Sequence, residues 1–178
     1  MKKVMILTIF AALMMISSGA VAQTASGTLT VTATVNGSIQ LVFNSDAAGV
    51  ALSSGAGTNA ATLAFGNVSA FGAVAAGVVR TTAANSFTVS SAVDVLVSKT
   101  NSASANYTLK AQLGAADAVN NWTVGGVAVT NASAATVTAT GAYGGVTGTN
   151  FPVAITVPFA TASGTLISNT INYTATAN

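Results

Sequence analysis

Reactive side chains are scarce in this sequence, and the scarcity narrows its chemistry. The 178 residues include no His, no Cys and no Glu, and the three acids are Asp46, Asp94 and Asp117. Zinc, haem, iron–sulfur and copper centres lose their usual ligands in such a chain. Carboxylate-pair hydrolysis needs two acids brought together, and these three are far apart in sequence. A His-based triad cannot form. Lys99 or Lys110 could in principle close an isopeptide bond with an Asn, but a solvated or snorkelling Lys is the ordinary state. Gly125-Gly126 and Gly144-Gly145 carry no phosphate-loop Lys and read as turns. The sequence therefore points to a protein that is not an enzyme and takes no cofactor or metal.

What is left for recognition is apolar shape and main-chain hydrogen bonding. Hydrophobic residues make up 51% of the chain and charged residues only 4%, where an ordinary soluble domain carries about 25% charge. The elements that must position such a surface come in three parts. Residues 1–22 read as a cleaved secretory signal peptide: Lys2 and Lys3, an apolar run from Val4 to Ile16 broken only by Thr8, then Ala20-Val21-Ala22 as a small-x-small cleavage site. The run is too short to span a bilayer, which takes about 20 residues. Without it, Arg80, Lys99 and Lys110 face three Asp, so the mature net charge is zero. Nothing then favours nucleic acid, and no transmembrane segment is expected in the mature chain. Little charge repulsion opposes self-association. Export without Cys leaves no disulfide staple.

Beyond residue 22 the alternation has period two and β-branched residues dominate. Strands are expected over 28–35, 38–43, 62–65, 74–80, 86–98, 106–113, 122–130, 136–140, 153–159 and 165–175. Phe87, Val89, Val93, Val95 and Val97 share one face; so do Tyr107, Leu109, Ala111 and Leu113, and Val153, Ile155, Val157 and Phe159. One buried face per strand implies two facing sheets or one rolled sheet. The expectation is an all-β, Ig-like sandwich of about seven to nine strands, built from residues 37–178 and preceded by an extended segment over 23–36.

That segment is the most informative stretch. Leu29, Val31, Ala33 and Val35 alternate with Thr, and Ile39, Leu41 and Phe43 follow Asn36-Gly37. Asn-Gly between strands normally marks a tight hairpin. A two-residue turn there would oppose Val35 to Ser38, Ala33 to Gln40, and Thr32 to Leu41, which mixes the faces. A chain that runs on without reversing keeps the odd apolar residues on one side. Two roles fit: an ordinary first strand that crosses between sheets at Gly37, or a strand that leaves its own domain and completes a neighbour's sheet.

These residues resemble the spore coat U-like, archaic type of chaperone–usher pilus subunit. The resemblance is carried by residues 27–35 (GTLTVTATV), 38–43 (SIQLVF), the Leu63-Ala64-Phe65-Gly66 motif, 92–113 and 164–174 (GTLISNTINYT). The sequence departs from that family in having no Cys near the second segment and in continuing past Tyr173 to Asn178. The resemblance implies an incomplete Ig-like fold that lacks one strand. It implies a role as an exported structural subunit polymerising by strand donation, with Leu29, Val31, Ala33 and Val35 filling the partner's pockets. Its partners would be other copies or related subunits, a periplasmic chaperone and an outer-membrane usher. Its location would be the periplasm, the cell surface or an extracellular fibre. The alternative of another class is an exported carbohydrate-binding or adhesive sandwich acting as a monomer, with Trp122, Tyr107 or Tyr143 in a cleft.

Overall fold

A computed structural model describes residues 26–145 and 147–178. The expected signal peptide, residues 1–22, lies outside the described residues, as does the start of the segment that follows it. The protein divides into two units, Met1–Thr34 and Val35–Asn178. In the first, residues 26–34 are exposed and carry no assigned strand.

The second unit is all-β, with no helix among the described residues. Its strands are β1 (Ser38–Ser45), β2 (Val79–Thr82), β3 (Ser86–Ser91), β4 (Val93–Thr100), β5 (Asn106–Leu113), β6 (Asn121–Val124), β7 (Val127–Val129), β8 (Ala135–Ala142), β9 (Thr149–Asn150), β10 (Val153–Pro158) and β11 (Ile171–Ala177). They form three open sheets: β1-β4-β9, β2-β3-β10-β6-β7 and β11-β5-β8. The described residues thus hold eleven strands in three sheets, not seven to nine in two.

Apart from Phe159, which is 41% exposed, the odd-numbered faces expected from the sequence form the core. Val89, Val95, Val97, Tyr107, Leu109, Ala111, Ile155 and Val157 are all buried in one cluster fed by all three sheets. Alternation puts one side chain in two toward that core. The polar partners Thr108, Lys110 and Gln112 are left on the other face of β5.

Three departures from the expected strands have local causes. The run over 86–98 breaks at Ala92 into β3 and β4, which lie in different sheets. The buried Ser91 hydroxyl accepts the Val50 N–H at 2.7 Å. Gly49 packs so closely on this corner that a Cβ would sit 2.2 Å from the Ala92 carbonyl oxygen. The run over 122–130 turns back at Gly125-Gly126, whose φ values of 56° and 79° suit a mirror-image two-residue turn. The segment 62–65 gives only an isolated bridge between Ser54 and Thr62, although Leu63 and Phe65 pack against the core.

The Asn36-Gly37 pair makes no hairpin. The strand that follows it, β1, pairs instead with β4 along its whole length, from Ser38 opposite Thr100 to Ser45 opposite Val93. A Cβ at Gly37 would lie 2.7 Å from the Asn101 carbonyl oxygen, so the approach of these two backbones requires glycine.

Candidate functional site

Within the second unit, two sheet edges face each other without bonding. β1 ends one three-stranded sheet and β11 ends another. Phe43 of β1 meets Tyr173 of β11, with ring centroids 5.1 Å apart. Ser38, Ile39 and Ala177 line a cavity of about 250 Å³ with Gly37, Asn101 and Ser102. The two edges therefore run antiparallel, touching at the Phe43 end and parted at the Ile39 end.

The hydrogen-bond phase of each edge follows from its outermost bonds. Phe43 turns its N–H and C=O away from β4, to the Thr58 carbonyl and the Gly57 N–H. Main-chain groups alternate sides along a strand, so Ile39 and Leu41 also present theirs outward. On β11, the Asn178 N–H donates to the Asn106 carbonyl and the Thr170 carbonyl accepts from Gly114, both toward the β5 side. The odd residues Ile171, Tyr173, Ala175 and Ala177 then point their N–H and C=O into the gap. Odd residues of both edges also contribute half-buried side chains: Leu41, Phe43, Ile171, Tyr173 and Ala175 pack against the core cluster. The gap is a slot with an apolar floor, into which Ile39 and Leu41 on one wall and the odd residues of β11 on the other turn their main-chain groups, while those of Phe43 are already taken by Thr58 and Gly57. Unpaired edges of this kind invite pairing with another polypeptide.

Among the residues singled out from the sequence, Leu29 is 88% exposed, Val31 81% and Val35 74%; Ala33 is exposed too. They remain an alternating apolar row in the open. By contrast, the aromatics considered for sugar stacking are mostly unavailable. Trp122 is 6% exposed and donates its indole N–H to Asp117 at 2.8 Å. Tyr107 is 1% exposed, and Tyr143 packs on it with the rings tilted, 5.4 Å between centroids, beneath the Lys99 ammonium.

The acids take structural places. Asp117 opens a turn, accepting the Val119 and Asn120 N–H groups as well as the Trp122 indole. Partial burial works against its charge, but the bonds from Asn120, Trp122 and Val119 win and hold the carboxyl down at about 2. Asp94 and Asp46, 48 positions apart in sequence, are brought together by the β1–β4–β9 pairing. Asn44, Asp94 and Asn150 oppose one another in one row, and Asp46 accepts from the Asn150 amide at 2.6 Å. Burial, then the facing Asp46 charge, pushes the Asp94 carboxyl above its ordinary value. The Ala48 N–H and the Asn150 amide hold half-buried Asp46 below it. Among the described residues no three His, Cys, Asp or Glu cluster as metal ligands. Arg80 donates to the Ser69 and Gly72 carbonyls, and Lys99 to those of Ser102 and Ser104.

The resemblance implied a missing strand, but the residues did not say where the slot lies. The alternation of Ile171, Tyr173 and Ala175 is visible in the sequence, but whether a strand is central or at an edge depends on sheet order, which no local pattern encodes. No helix among the described residues is long and apolar enough to cross a membrane. No family model matches the protein, and neither the curated proteins nor the solved structures contain a significant match to it.

Proposed function

We propose that this protein is an exported structural subunit whose copies assemble by strand donation, in the manner of the archaic pilus subunits it resembles. The observation that carries the reading is the pairing of a surplus with a deficit. An exposed apolar row, Leu29 to Val35, lies outside any strand, and a slot between β1 and β11 lacks a strand. The donated segment spans seven residues, as does β11. A strand laid in the slot would join β9-β4-β1 to β11-β5-β8 as one seven-stranded sheet. That sheet would face β2-β3-β10-β6-β7 across the core and complete an Ig-like sandwich.

The energetics favour it. Fully burying a Val or Leu side chain stabilises by about 1.5–3 kcal/mol, so Leu29, Val31 and Val35 together contribute roughly 4.5–9 kcal/mol before ordering costs. Main-chain bonds to both walls add strength and hold the register. Such a head-to-tail contact does not close on itself, and a non-closing contact builds a fibre. A periplasmic chaperone that lends a strand would protect the slot before assembly, and an outer-membrane usher would oversee the exchange.

Deletion of residues 23–35 tests the reading. Assembly, read by size-exclusion chromatography and electron microscopy, is lost while the melting temperature of the remaining domain holds. A large drop in that melting temperature would instead make the segment an ordinary first strand.

A further inference from the structure

Asn36 is the one Asn in the sequence that precedes a Gly, and it lies at the joint between the exposed apolar row and β1. We propose that this joint is a spontaneous modification site, where Asn36 deamidates through a succinimide to aspartate and isoaspartate. The Gly37 backbone nitrogen gives up its proton to solvent base and attacks the carbonyl carbon of the Asn36 amide. The new carbon–nitrogen bond closes a five-membered ring, and the amide's own carbon–nitrogen bond breaks to release ammonia. Water then opens the ring at either carbonyl. Opening at one leaves aspartate; opening at the other routes the backbone through the former side-group carbon. No oxidant or reductant takes part.

Four observations single out this position. Residues 36 and 37 are exposed and lie outside any strand. Glycine has no Cβ to shield the attacking nitrogen. No hydrogen bond among the described residues engages the Asn36 amide or the Gly37 N–H. Other Asn amides are held: Asn44 donates to Thr147, Asn120 to Asp117, Asn150 to Asp46 and Asn169 to Ala115. Each of these precedes a residue that carries a Cβ. The vulnerable pair is also fixed by packing, because the Asn101 carbonyl leaves no room for a Cβ at 37.

The product changes two things. It places a negative charge in a stretch, residues 23–45, that has none. The isoaspartate form adds a carbon to the backbone and so shifts the phase between residues 29–35 and β1. Resting on the strand-donation reading, this makes Asn36 a clock that lowers the assembly competence of old subunits.

The test incubates the intact exported protein at mildly alkaline pH and follows each Asn by peptide mapping with isoaspartyl detection. Asn36 converts before every other Asn, and Asn36→Gln abolishes the early conversion. The proposal is overturned if Asn36 keeps its amide while a free peptide of residues 30–42 converts under the same conditions. Conversion is read by mass in monomer and polymer alike, so failure of the assembly reading leaves this result intact. Aged wild type compared with aged Asn36→Gln in an assembly assay reads that other claim separately.

Discussion

Phe43 and Tyr173 meet edge to face, 5.1 Å between centroids with the rings at 67°, although their strands share no ladder. The contact ties together two sheets at the closed end of the slot. Such aromatic pairs contribute about 0.5–1.5 kcal/mol beyond the area they bury. Tyr173→Ala should therefore destabilise by about 2 kcal/mol. The Tyr173 hydroxyl has no partner among the described residues, so Tyr173→Phe should stay within about 0.5 kcal/mol of wild type. Denaturant unfolding of the two variants checks both values.

A synthetic peptide of residues 26–36 should raise the melting temperature of a protein that lacks residues 23–35. Ligand held by the folded state alone stabilises by about 2.7 kcal/mol at a hundredfold excess over Kd. A peptide with Thr at 29, 31, 33 and 35 keeps every main-chain group but loses the apolar row, and should give no shift. Equal shifts from both peptides would mean that side-chain parity plays no part.

Gly141 lies flat beneath the Tyr107 ring, where a Cβ would come within 2.3 Å of ring carbon. Tyr107 is buried and cannot retreat. Gly141→Ala should cost about 3 kcal/mol through overpacking, and Gly126→Ala, where space is open but φ is 79°, about 1 kcal/mol through backbone strain. Thermal melts at one pH compare them.

Two acids should respond to pH with opposite signs. The folded state holds the Asp94 proton more tightly than the unfolded state, whose carboxyl titrates near 3.8. The stability tied to that proton is complete below the unfolded value and is lost as pH climbs through the raised one. Asp94→Asn should therefore match wild type in acid and exceed it at neutral pH, its amide still able to donate to Asp46. Asp117 runs the other way: its contribution is present above 3.8 and fades as pH falls through about 2. Asp117→Asn should cost about 1–2 kcal/mol at pH 7 and little near pH 2. Melts across that range with both variants read the two slopes.

Which residues point inward was legible in the sequence; which strands lie side by side was not. The odd faces of 86–98, 106–113 and 153–157 fill the core as their alternation demands. Sheet membership depended instead on single events. Ser91 spends its hydroxyl on the Val50 N–H, and the backbone changes sheets at the next residue. β9, two residues long, has too little sequence to announce itself, yet it brings Asn150 to Asp46. The alternation of Thr and apolar residues over 29–35 was legible, but it led to an expected strand where the structure has an exposed segment with none. The place of the slot was not legible, because β1 and β11 lie at opposite ends of the sequence and only the three-sheet order shows that each ends its sheet, with Phe43 alone bridged on the outer side of β1.

The unbroken ladder from Ser38 to Ser45 also sets how this domain would bear mechanical load. A pull along the axis of β1 runs across its hydrogen bonds, not along them. The bonds to β4 then share the tension and give way together, where a pull directed across the strand would peel them off singly. Resistance to such a force is governed by the rate of unfolding more than by equilibrium stability, and in β1 it resides in eight consecutive residues without a bulge.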